Sequence, residues 1–126
     1  MIVGIGIDLV DVARVERLLN SKGDRALQRL FTEAERTYAM RRAHPARHLA
    51  ARIAAKEATF KALSTHPEGR AVGWQEMEVI SNAGAPAVEL HGLAARCAAG
   101  LGVTRVWLSL SHSDATAGAV VVLEGT

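Results

Sequence analysis

The chain of 126 residues has little sulfur, little aromatic surface and little excess charge, and each shortage excludes something. Its one cysteine, Cys97, cannot close an intrachain disulfide, which fits a reducing compartment. Aromatic residues make up 4% of the sequence. They are not interleaved with basic ones, so a stacking platform for single-stranded nucleic acid is not supported. A formal net charge of +2 and a sequence pI near 9.1 are too mild to mark a nucleic-acid surface, while acidic or phosphorylated partners remain open. No apolar run approaches the ~20 residues of a membrane span, and the start MIVGIGIDLV has no basic leader. A cytoplasmic protein without a membrane segment is therefore expected. The content of 49% hydrophobic and 22% charged residues is that of a globular chain, and one domain over 1–126 is expected.

What is present centres on the stretch RHLAARIAAKEATFKAL, 47–63, free of glycine and proline and rich in alanine. At roughly 100° per residue, Leu49, Ile53, Phe60 and Leu63 fall on one apolar arc of a helix. Ala51, Ala54, Ala55, Ala58 and Ala62 lie on the opposite side, where a second element can approach closely. Lys56 falls inside the apolar arc, Glu57 on its shoulder, and Lys61 one turn later. Charges on a helix covered almost all round need partners, and the options are mutual pairing, a metal ion or a charged ligand. The plainest is a Glu57–Lys61 pair at i, i+4.

Around this helix the chain reads as an α+β domain of antiparallel hairpins with helices grouped mid-chain. Residues 2–8 alternate as a strand with Val3, Ile5 and Ile7 on one face and Gly4, Gly6 and Asp8 on the other. The glycine face lets a ligand or another backbone come close beside Asp8. Gly-x-Gly here is not a dinucleotide motif, because Leu9 stands where the third glycine would be. Asp11 is placed to cap a helix to about 20, with a break at Gly23 and a short segment over 24–30. Arg14, Arg17, Lys22 and Arg25 form a basic row, either a solvated face or a docking strip for an acidic protein. Thr32 and Glu35 make a capping box for a helix through about 42, from which Tyr38 packs inward. His44 and His48 read as surface or helix-start residues.

After a loop over 65–73, a strand over 74–81, a turn over 82–86 and a returning strand over 87–90 are expected. A small-residue helix follows over 92–99, closed by Gly100 and Gly102. Over 103–113, Val106, Leu108, Leu110 and His112 face one way and Ser109, Ser111 and Ser113 the other. A tight turn then leads into the apolar strand 117–124, expected to be covered on both faces. Ser111, His112 and Asp114 do not make a hydrolase triad, since strand neighbours point to opposite faces and no nucleophile elbow is present.

Ile5-Gly6-Ile7-Asp8, Phe31-Thr32 with Glu35 and Tyr38, Ala54-Ala55-Lys56-Glu57-Ala58 with Lys61, and Ser109-Leu110-Ser111-His112-Ser113 together resemble one family. It is that of the holo-acyl-carrier-protein synthases, the small bacterial 4′-phosphopantetheinyl transferases. The resemblance spans essentially the whole chain. It implies the 4′-phosphopantetheinyl transferase-like fold and transfer of the phosphopantetheine arm of coenzyme A to a serine of apo acyl carrier protein, with adenosine 3′,5′-bisphosphate released. It also implies that Asp8 and Glu57 hold Mg²⁺ with the coenzyme's pyrophosphate, oxygen ligands that Mg²⁺ accepts. Lys61 would face the same phosphates, and Glu57 would deprotonate the serine. Lys56, Arg52 and His112 become candidate contacts for coenzyme phosphates, and the basic row becomes the carrier-binding strip. The family is usually trimeric, so His112 would serve a neighbouring chain's site.

The chain departs from the family at Ile53, often aromatic there, and at Ser64-Thr65-His66-Pro67, where a Gly-Thr-Gly-like loop is usual. Because that loop borders the coenzyme site, affinity or acyl-chain tolerance is the property it bears on. Two other functional classes fit the same residues less fully. One is a non-catalytic carrier- or nucleotide-binding module of this fold, which has no need of an intact acidic pair. The other is a Mg²⁺-dependent hydrolase of coenzyme A, which would form product without a carrier.

Overall fold

The computed structural model describes residues 1–82 and 84–126, apart from the side chains of Lys22 and Asn82. Its elements are β1 (Ile2–Asp11), α1 (Val12–Leu30), α2 (Glu33–Met40), α3 (Pro45–Leu63), β2 (Met77–Asn82), β3 (Ala85–Leu90), α4 (Gly92–Gly100), β4 (Val103–His112) and β5 (Thr116–Gly125). Short 3₁₀ turns at Gly69–Ala71 and Trp74–Glu76 join α3 to β2. One sheet has the order β1-β5-β4, all antiparallel, and β2-β3 is a separate hairpin. The expected α+β architecture of hairpins around a long helix is the one observed.

α3 lies against the three-stranded sheet, and glycine decides how closely. A Cβ on Gly4 would overlap the carbonyl oxygen of Ala62, and one on Gly6 the carbonyl oxygen of Ala58. The alanine side of α3 and the glycine face of β1 thus let two backbones touch, and Ala54, Ala55, Ala58 and Ala62 are all fully buried. The close neighbour foreseen beside Asp8 is this helix. As a result the bulky face of β1 points away from the core, leaving Ile5, Ile7 and Leu9 63%, 61% and 70% exposed. Val3 does not share that face, because a register shift between Ile2 and Gly4 turns it back onto the core.

β5 alternates between buried and half-buried residues, so one of its faces is covered by α3 and the other is only partly covered. Its turn from β4 is fastened by Ser113, whose Oγ accepts the N–H groups of Ala115 at 3.3 Å and Thr116 at 3.2 Å.

Several boundaries differ from expectation for local reasons. α3 starts at Pro45, since a proline at the first helical position forfeits no hydrogen bond, and His44 is its N-cap. Asp11 stands at the N-cap of α1 but makes no side-chain cap bond. The break at Gly23 is present, with φ 51° and ψ −128°. α2 ends at Met40 and its capping box is complete. Residues 74–76 are a turn rather than strand. In the expected 82–86 turn, Ala83 lies outside the described residues, while Ala85 and Pro86 already belong to β3. Across the β2-β3 ladder Glu78 faces Glu89, a like-charge pair that would repel. His91 bridges them, its Nε2 being 3.1 Å from Glu78 and 3.4 Å from Glu89.

Candidate active site

Asp8 is brought to α3 by the same contact that buries Gly4 and Gly6. Its carboxylate is the strand's only acidic group on the helix-facing side, and Glu57 from α3 lies close enough to feel its charge. Burial raises the Glu57 carboxyl from its ordinary 4.5 to about 7, and the neighbouring Asp8 carboxylate adds to the rise against the pull of Arg14 and Lys61. Two carboxyls that cannot comfortably ionise together share a proton or bind a cation. Lys61 Nζ donates to Asp8 Oδ1 at 3.0 Å and to the carbonyl oxygen of Ile7 at 2.9 Å. The expected Glu57–Lys61 pair is therefore replaced by Lys61–Asp8. Asp8 Oδ2 is buried and has no partner. An uncommitted carboxylate oxygen beside a second carboxyl is a donor set that fits a hard divalent ion such as Mg²⁺.

Next to this pair opens a cavity of about 380 Å³ lined by Glu57, Phe60, Lys61, Val72, Trp74 and Met77. A lining that combines acidic and basic groups with apolar side chains suits a ligand with a charged and an apolar part. Trp74 also closes a neighbouring groove bearing Arg14 and Arg17, and Arg25 lies farther along with Arg29. The basic row therefore begins at the acidic pair, with Arg29 as a member not singled out in the sequence. Lys22's side chain lies outside the described residues.

Lys56 is a correction. It borders the cavity, but its ammonium is wholly enclosed, paired with Glu35 at 2.8 Å and donating to the carbonyl oxygens of Trp74 at 2.8 Å and Met77 at 2.9 Å. With its three protons committed it has none for a phosphate. Glu35, read from sequence only as half of a capping box, is the other half of this pair.

Arg52 and His112 belong to a different cluster. Tyr38, half-buried rather than packed in the core, has the guanidinium carbons of Arg42 and Arg52 over its ring at 4.1 and 4.3 Å from the ring centre. His48 stands edge-on 6.0 Å from Tyr38 and 6.1 Å from His112. Burial lowers the His48 imidazole from its ordinary value, followed by the repulsion of Arg52, His112, Arg42 and Arg47. Arg52 is 4% exposed and its Nε has no partner. Such a concentration of cations with an unused donor suits an anion. Between Arg52 and Lys61 the helix rises about 13.5 Å and turns through roughly half a circle, so one chain cannot bring both clusters to the same phosphate group.

An acidic pair and a lysine at a strand–helix crossing suit phosphoryl-group chemistry, and the chain belongs to the 4′-phosphopantetheinyl transferase superfamily, whose family model matches residues 4–119. Within that class it is similar to the holo-[acyl-carrier-protein] synthase of Anaeromyxobacter sp. (strain K), at 48% identity over 129 aligned positions covering 100% of this chain and 98% of the relative. The holo-[acyl-carrier-protein] synthase structure from Neisseria meningitidis matches with a TM-score of 0.87 and 34% identity over 98% of this chain and 99% of that one. The Bacillus anthracis synthase, solved in complex with CoA (3′,5′-ADP), matches with a TM-score of 0.79 and 36% identity over 100% and 99% of the two chains.

Proposed function

We propose that this chain transfers the 4′-phosphopantetheine arm of coenzyme A to a serine hydroxyl of apo acyl carrier protein and releases adenosine 3′,5′-bisphosphate. The observation that carries the reading is the meeting of Asp8, Glu57 and Lys61, with Asp8 Oδ2 left uncommitted. Asp8 and Glu57 would hold Mg²⁺, which supplies charge neutralisation at the pyrophosphate when bound. Lys61, 54% exposed along its side chain, swings from Asp8 to the coenzyme phosphates and offsets the charge that develops on the departing one. Glu57 takes the serine proton as the serine oxygen bonds to phosphorus and the bond from phosphorus to the bridging oxygen breaks. Arg14, Arg17, Lys22 and Arg25 steer the acidic carrier to the site, with rates that fall as salt rises.

The second cluster gives a reason for a homo-oligomer. Ile5, Ile7, Leu9 and, at 49% exposure, Trp107 form an apolar sheet face of the kind that marks an interface. A homotrimer built on that face lets Arg52 and His112 of one subunit bind coenzyme phosphate at the acidic pair of the next. Ile7→Asp should therefore elute as a smaller species and lose transfer, while its circular dichroism remains that of the parent; an unchanged elution volume would count against this face. No helix among the described residues is long and apolar enough to cross a membrane, and a cytoplasmic, one-domain enzyme is the setting proposed.

The direct test is incubation with apo carrier protein, coenzyme A and Mg²⁺, read by mass spectrometry. A gain of one phosphopantetheine on the carrier supports the reading. Coenzyme binding without product selects a non-catalytic module, and product formed without a carrier selects a hydrolase.

The raised Glu57 carboxyl fixes the pH dependence. Between 4.5 and about 7 the folded protein holds a proton that the unfolded chain has released, so the pair's contribution to stability is present below that window and is lost as pH rises through it. Divalent-ion affinity moves the other way, because proton and metal compete for the same oxygens. Thermal melts from pH 5 to 8 should show the largest stabilisation by Mg²⁺ at the alkaline end; a pH-independent Mg²⁺ effect would refute the assignment.

A further inference from the structure

α3 carries a charged side chain that the reaction does not use. Lys56 and Glu35 are each 0% exposed and 2.8 Å apart, and enclosing an ion pair is unfavourable unless its remaining hydrogen-bond sites are filled. Here they are filled. Besides the Trp74 and Met77 carbonyls held by Lys56, Glu35 accepts the N–H groups of Thr32 and Val79, each at 2.8 Å. Three of these four bonds fall on one segment, the turn and strand from Trp74 to Val79. Trp74 and Met77 also line the cavity together with Glu57 and Lys61. Apolar packing alone would hold this segment near the helix, but it is non-directional. An ammonium among three acceptors is directional, so it fixes where this segment of the cavity wall sits relative to α3.

We propose that the Lys56–Glu35 pair is a positioning device for this wall, and that it sets how tightly coenzyme A is held without taking part in the transfer. The inference rests on the reading that the cavity receives coenzyme A. Lys56→Met combined with Glu35→Met removes both charges together, so neither is left buried and unpaired, but it also strips the Trp74 and Met77 carbonyls and the Thr32 and Val79 N–H groups of their partners, which lowers stability. Denaturant midpoints, kcat and KM for coenzyme A are then measured for the parent and the double variant. The expected result, at a temperature where the double variant is folded, is a midpoint below the parent's, a KM raised about tenfold, equal to about 1.4 kcal/mol, and kcat at saturating coenzyme A within about twofold. A parent-like KM in the folded double variant overturns the proposal, since the pair would then be structural only. Lys56→Arg keeps the charge, but its planar fork cannot serve the same three acceptors. It should also raise KM, and it carries the test alone if the double variant does not fold; a parent-like KM in folded Lys56→Arg overturns the proposal equally. Parent protein that forms no holo carrier in the same assay defeats the functional reading and this inference with it, an outcome distinct from an active parent with an unaltered variant.

Discussion

Glu57→Gln is expected to reduce transfer by roughly a hundredfold to ten-thousandfold, the range over which a general base contributes, and to do so in a folded protein. The two effects separate because glutamine keeps the shape of the side chain while removing both the proton acceptor and one metal donor. Without metal at pH 8, the variant should melt at or above the parent temperature. It no longer sets a second negative charge against Asp8, and its amide can donate to Asp8 Oδ2, the buried oxygen that has no partner. Addition of Mg²⁺ should then raise the melting temperature of the parent and leave that of the variant unchanged. Calorimetric melts with and without Mg²⁺, run beside the carrier mass-shift assay, check all three statements. A variant that still transfers would exclude Glu57 from the reaction, and one that is unfolded would assign it to the core.

Sequence and structure agree most where the information is local. The helical period of 47–63, the Thr32–Glu35 capping box and the alternation of β4 are each set by neighbours a few residues apart, and each is present. The alternation of β1 was equally legible, but its direction was not. Hydrophobicity assigns Ile5 and Ile7 to the core, whereas the closeness of α3 assigns Gly4 and Gly6, and only the second requirement has no alternative. The exposed isoleucines are the sign that a further surface is needed.

The residues alone marked Glu57 as a charge on a covered helix and Asp8 as a carboxylate on a glycine-lined strand face, but it was the family resemblance that joined the two as a pair. Its detailed partners could not be inferred, since Lys61 chooses Asp8 over Glu57 across 53 residues of sequence. Lys56 shows the same limit. Its location in the apolar arc announced a need for a partner, but a lysine inside a helix cannot reveal whether that partner is a phosphate or the end of a capping box 21 residues earlier. Glu35 already had a local explanation, which concealed its second bond.

Gly6→Ala should have the largest effect of the glycine-to-alanine substitutions in this chain, since its Cβ comes nearest to a backbone atom. The new carbon would overlap the carbonyl oxygen of Ala58, an atom of the α3 backbone that cannot rotate away, so strand and helix must separate. Overpacking of a core costs typically about 1–3 kcal/mol, and a backbone obstacle places this substitution at or beyond the upper end. Gly73→Ala is the matching control, because its Cβ would meet Glu76 Oε1 at an ordinary 3.5 Å. The catalytic consequence should exceed the loss of stability. Asp8 follows Gly6 on the helix-facing side of β1 and Glu57 precedes Ala58 in α3, so the contact that excludes a methyl also sets the distance between the two carboxylates. A displacement of about 1 Å can cost on the order of a hundredfold in rate, so activity per folded molecule should fall as well as the folded fraction. Denaturant unfolding, combined with transfer rates at a temperature where the variant is folded, distinguishes the two losses. Gly6→Ala with the midpoint and specific activity of Gly73→Ala would mean that the strand–helix approach does not hold the acidic pair together.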